Sequence, residues 1–136
     1  MAKKTWSEKL ADPRPHEVKP APIDIAGMKA GEIMLVPTPR LLDEFIRAIP
    51  RGASLDVADL RKAMAQRFGA EVTCPITTGF HLRTVAEAAF EALSGGAPLE
   101  ALTPFWRVLD ARAPTTKKLS FGSALIAAQR RAEGLS

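Results

Sequence analysis

Cys74 is the single thiol of this 136-residue chain, and His16 and His81 are its only imidazoles. A thiolate is a nucleophile, and a helix N-terminus or an adjacent base lowers the pKa that produces it. Neither histidine stands near Cys74 in sequence, so two readings of the thiol stay open: a displaced nucleophile, or a packed side chain. One cysteine excludes a disulfide within one chain and a cysteine-built metal cage. The two histidines are far apart, so no metal and no cofactor is expected.

The other chemistry on offer is that of cations. Lys and Arg number 19 against 15 Asp and Glu, a formal net charge of +4. The excess sits late: residues 101–136 carry six Lys and Arg against two Asp and Glu. Such a patch suits a polyanion, although a solvated basic surface has the same composition.

These groups need a scaffold. With 46% hydrophobic and 25% charged residues, the chain has the composition of one globular domain. Residues 1–35 predict an extended, Pro-rich N-terminal arm, broken at Pro13, Pro15, Pro20 and Pro22. Trp6 and Leu10, at helical spacing, can dock a short turn. Ile33 to Val36 reads as an apolar extended segment entering the core. Residues 36–136 then read as the domain proper.

The first helix of that domain is capped by Thr38, with Pro39 at its first position and a buried stripe of Leu41, Leu42, Phe45, Ile46 and Ile49. A second begins near Asp56, repeats Val57, Leu60, Met64 and Phe68, and stops at Gly69. The stretch AEVTCPITTG connects it to a third, capped by Thr77 or Thr78, with Phe80, Val85, Ala89, Phe90 and Leu93 on its inner face. Phe105 to Leu109 is β-prone, and a last helix covers about Ser123 to Ala132 with Leu125, Ile126 and Ala128 inward. Two helices joined through turn residues form a helix-turn-helix pattern. The expected fold is mainly α: a winged-helix-like helix-turn-helix domain with a short β element. No run is long and apolar enough to span a bilayer, and no apolar run follows the N-terminal lysines. A cytoplasmic location without membrane contact is the expectation.

Three landmarks occur in one order: Ile49-Pro-Arg-Gly52, Leu82-Arg-Thr-Val-Ala-Glu-Ala-Ala89 and Thr103-Pro-Phe-Trp-Arg-Val-Leu109, before a final helix ending Ala132-Glu-Gly134. Together they resemble the DNA-binding domain of alkylguanine-DNA alkyltransferases and of alkyltransferase-like proteins. Thr5-Trp6 with Lys9-Leu10, Cys74-Pro-Ile-Thr-Thr-Gly79 and Pro104 to Leu109 are also similar to a group of small alkyltransferase-like proteins.

In the enzymes a cysteine and then a carboxylate-backed histidine follow the proline of the third landmark. Here Phe105 and Trp106 follow Pro104, and neither accepts an alkyl group or moves a proton. The resemblance therefore implies a non-enzymatic binder of double-stranded DNA, one that senses alkylated or flipped guanine without repairing it. It places Arg83 at the arginine that fills the gap left by a flipped base. Thr77, Thr78 and His81 join it as DNA contacts, with Arg107, Arg112, Lys117 and Lys118 on phosphates. Phe105, Trp106 and Val57 would line the base pocket, Val57 standing where the enzymes have a tyrosine. The competing expectation is a protein-interaction or regulatory domain on the same fold, with a protein partner bound through the arm around Trp6.

Overall fold

The computed structural model describes residues 4–135. Five α-helices, three short strands and three 3-10 turns make up a mainly helical domain. The helices are α1 (Trp6–Leu10), α2 (Pro39–Arg47), α3 (Val57–Arg67), α4 (Pro75–Ser94) and α5 (Ala124–Ala132). The strands are β1 (Glu17–Pro20), β2 (Ile33–Val36) and β3 (Val72–Thr73). Among the described residues no helix is long and apolar enough to cross a membrane.

The caps on α2 and α3 follow the sequence. Thr38 Oγ1 accepts from the Leu41 N–H at 3.1 Å, ahead of Pro39, and Asp56 accepts from the Asp59 N–H at 2.7 Å. Each cap satisfies an N–H that the first helical turn leaves without a partner. Leu41, Leu42, Ile46 and Ile49 are buried as their spacing requires, while Phe45 is only half-buried.

The N-terminal arm is folded onto the body. β1 pairs antiparallel with β2 in the register Val18 with Leu35, so the sheet runs across the expected boundary at residue 35. β2 pairs parallel with β3, Met34 against Val72 and Leu35 against Thr73. Arg61 donates from Nη2 to the Thr73 carbonyl at 2.9 Å, and the Thr73 hydroxyl donates back to the Arg61 carbonyl at 2.7 Å. That reciprocal pair ties α3 to the sheet.

α1 docks on α4 through charge and dipole together. Glu91 accepts from the backbone N–H groups of Trp6 and Ser7, both at 3.2 Å, and from the Ser7 hydroxyl at 2.8 Å. An anion at free helical N–H groups is stabilised by the helix dipole. Those three hydrogen bonds hold the Glu91 carboxyl below its ordinary range, the Ser7 hydroxyl contributing most. Trp6 is therefore engaged within the fold rather than held out on a free arm.

Four expectations are corrected. The β-prone run at Phe105 forms a 3-10 turn, Phe105–Arg107, because Phe105 and Trp106 are more favourably placed packing inward than pairing with a strand edge. The third helix starts earlier than expected: Pro75 occupies its first position, Cys74 is its N-cap, and Thr77 and Thr78 lie inside it. Its inner face differs too. Leu82, Val85, Ala86 and Ala89 are buried, but Phe80 is exposed and Phe90 half-buried. In α5, Ile126 is buried as expected and Ala128 is exposed.

The core sits around the middle of α4, where Leu35, Leu42, Ile46, Leu60, Met64, Leu82, Phe105, Leu109 and Ile126 are almost completely removed from water. A smaller cluster of Ala21, Met28, Met34 and Cys74 lies on the sheet.

Candidate nucleic-acid interface

The structure brings few of the expected DNA contacts together. Thr78 is buried, and its hydroxyl donates to the Cys74 carbonyl at 2.7 Å. It serves the first turn of α4 and has no surface to offer. Thr77 is half-buried, its hydroxyl 3.2 Å from Cys74 Sγ. The thiol itself is buried among the apolar side chains of the smaller cluster.

Arg83 is partly exposed, 43% of its side chain reaching solvent, but its guanidinium is not free. Its guanidinium lies 5.3 Å from the centre of the Trp6 ring, in cation–π range. Its Nε is buried without a hydrogen-bond partner, 4.0 Å from Glu87 Oε2. Around Arg83 the expected groove-entering stretch of α4 is covered: Leu82 and Thr84 to Ala89 are buried, and α1 packs along the same helix. The buried Glu87 carboxylate instead accepts from the Ser120 N–H at 2.8 Å and from the Ser120 hydroxyl, binding the loop before α5.

Arg107 is likewise consumed. Its Nε donates to Glu133 Oε1 at 2.8 Å and its Nη1 to the Ile49 carbonyl at 2.8 Å, with only 14% of the side chain exposed. It positions the chain rather than meeting phosphate. Glu133 also accepts from Trp106 Nε1 at 2.6 Å and from the Gly52 N–H at 3.0 Å. Gly52 makes that last contact from a left-handed turn, φ +85°, which a side chain would strain. Burial pushes the Glu133 carboxyl up, but the hydrogen bonds from Arg107, Trp106 and Gly52 outweigh it and hold the pKa at about 2.

The expected base pocket is filled from within. Phe105 is fully buried, its ring edge-on to Trp106 at 5.3 Å and to Phe121 at 5.8 Å. Phe121 in turn stacks on Phe90 at 4.3 Å. Val57 is half-buried against the same core. Phe121, which closes the space, comes from the loop before α5.

What remains accessible divides in two. Arg112, Lys117 and Lys118 are exposed, Arg112 sharing a shallow recess with Arg130 and Arg131. On the other side, the first half of α4 presents Phe80, 75% exposed, and Ile76, 55% exposed. They are one helical turn apart and share a face. Sequence periodicity placed Phe80 inside, and the structure reverses that.

Beside Phe80 a groove of about 430 Å³ runs between the N-terminal segment, the start of α2 and α4. Lys4, Lys9 and Arg14 line it together with Thr77, His81 and Thr84. His81 is half-buried there. Desolvation first, and the nearby Arg14 second, lower its pKa, so the neutral imidazole is favoured.

Comparison with family models, with characterised proteins and with solved structures finds no match to the chain.

Proposed function

We propose that this chain is a non-enzymatic, double-stranded DNA-binding protein that lays the first half of α4 against the duplex. The observation that carries the reading is the pair Ile76 and Phe80, two large apolar side chains exposed on the second helix of the α3–α4 pair. Apolar wedges of this kind insert between base steps in minor-groove binders, flanked by cations that answer the phosphates. Lys4 and Lys9 beside the same helix, and Arg112, Lys117 and Lys118 elsewhere on the surface, are available for phosphate.

The scaffold is winged-helix-like in its helix pair, with the difference that its strands precede α4. Among the described residues only 3-10 turns separate α4 from α5. The resemblance to alkyltransferase-like proteins gains support from Glu133, which holds Trp106 as a carboxylate would hold the histidine of an enzyme. With Phe105 buried and Cys74 packed away, alkyl transfer has no accessible acceptor. Recognition of alkylated guanine would have to use a surface other than the filled space around Phe105.

Fluorescence anisotropy with a labelled duplex at low salt tests the reading. Binding that weakens with added salt and with Phe80→Ala is expected; absence of binding to any duplex overturns it. The two apolar side chains also suit a protein partner, and a pull-down dependent on Phe80 yet insensitive to salt would favour that second reading.

A further inference from the structure

The groove beside Phe80 has the size and lining of a small-ligand site. Its volume of about 430 Å³ falls within the range of roughly 300–1,000 Å³ typical of such clefts. Its apolar lining comprises Pro15, Val36, Pro37, Pro39 and the exposed ring of Phe80. Its polar lining includes Thr77, Thr84 and the imidazole of His81. The Thr84 hydroxyl donates to the Phe80 carbonyl at 3.3 Å, leaving its oxygen free to accept.

Charge around the rim is uneven. Asp12 is held by Arg14 at 2.7 Å, and Glu17 by Lys19 at 3.1 Å. Among the described residues no ion pair holds Lys4 or Lys9; the Lys9 ammonium rests 4.1 Å from the centre of the Trp6 ring. The acidic groups of the rim are thus neutralised locally and two ammonium groups are left over. Apolar side chains, hydroxyl and imidazole groups and two lysines are the groups that a nucleotide's ring, polar edge and phosphate can each use.

We propose that this groove binds a single nucleotide unit, its base beside Phe80 and its phosphate toward Lys4 and Lys9. The proposal deepens the duplex reading, because the groove opens at the same turns of α4, and it supplies the place for a base that the filled space around Phe105 does not. The unit can come from a free mononucleotide or from an unpaired nucleotide of a strand.

Titration of the full-length, isotope-labelled protein with 2′-deoxyguanosine 5′-monophosphate, followed by NMR, tests it. Shifts centred on Thr77, His81 and Thr84 are expected, with a dissociation constant on the order of 1 mM. Inorganic phosphate alone should shift Lys4 and Lys9 less, and a short single-stranded oligonucleotide should move the same groove signals if a strand is the source. His81→Leu should weaken the mononucleotide at least about fivefold, roughly 1 kcal/mol. The surface variant Lys4→Glu with Lys9→Glu should do the same without disturbing the core.

No shift in the groove up to about 10 mM, or shifts confined to other surfaces, overturns the proposal. Duplex anisotropy on the same samples separates the two readings. Duplex binding without groove shifts removes the nucleotide site alone. Groove shifts without duplex binding keep the site and remove the duplex.

Discussion

Trp106 Nε1 donates to Glu133 Oε2 at 2.6 Å, joining the turn after α4 to the end of α5. The same carboxylate takes two hydrogen bonds from Arg107 and one from Gly52, so four donors from two distant segments converge on one buried anion. A buried carboxylate is stable only when its lone pairs are occupied, and here they are.

Glu133→Ala should therefore destabilise the fold by about 3 kcal/mol, because Trp106 Nε1 and the Nε and Nη2 donors of Arg107 would be left buried without their acceptor. Urea denaturation monitored by tryptophan fluorescence measures this. A loss below about 0.5 kcal/mol, the level of an ordinary surface change, would mean that the network is not holding the two segments together.

The pH dependence of that contribution has a defined sign. The folded pKa of Glu133, about 2, lies below its ordinary value of 4.5. A depressed carboxyl pKa stabilises the native state fully above the unfolded value, and the contribution fades as pH falls through the folded one. Stability curves of the wild type and of Glu133→Gln should run parallel above about pH 5 and converge between about pH 4.5 and pH 2. Curves that stay parallel through that window would contradict the assigned shift.

Phe80→Ala separates function from stability. With Phe80 at 75% exposure, the substitution should leave the unfolding free energy within about 0.5 kcal/mol. Duplex affinity should fall at least about tenfold, or 1.4 kcal/mol. An equal affinity for the variant would remove Phe80 from the interface.

Trp6 and Arg83 should be energetically coupled. Their cation–π contact predicts an interaction of about 0.5–1 kcal/mol in a double-mutant cycle of Trp6→Ala and Arg83→Ala. Additive effects would show that the two side chains are merely neighbours.

The thiol should be inert. Mass spectrometry after incubation with a duplex containing an alkylated guanine should show an unmodified chain, because Cys74 is buried against Met28 and Met34. An alkyl adduct on Cys74 would restore an enzymatic reading.

The sequence made the helical skeleton legible where local chemistry decides it. Thr38 before Pro39 marked one helix start to the residue and Asp56 marked another closely, because a cap and its helix are within a few positions of each other. The Phe105 run was not legible: aromatic and β-branched residues signal burial, and burial was achieved by a 3-10 turn. β1 gave no signal, since its residues are all exposed and its order comes from pairing with Ile33–Val36. At the candidate site the types of residue were readable and their directions were not. Arg83 and Arg107 are engaged by Trp6 and Glu133 from distant segments, and Thr78 turns back to the Cys74 carbonyl of its own helix turn. Phe80 shares the helical period of the buried positions, yet it lies on a part of α4 that neighbouring elements leave uncovered.

The contact of α1 with Glu91 has a consequence for synthesis. Ser7 and its acceptor are 84 residues apart. A ribosome adding roughly 5–20 residues per second needs between about 4 and 17 seconds to make that stretch, during which α1 has nothing to dock on. A five-residue helix is marginal by itself in water, so the nascent N-terminus waits as an open chain with Trp6 uncovered. Chaperone capture of that tryptophan should fall once Glu91 has emerged from the ribosome and α4 has formed.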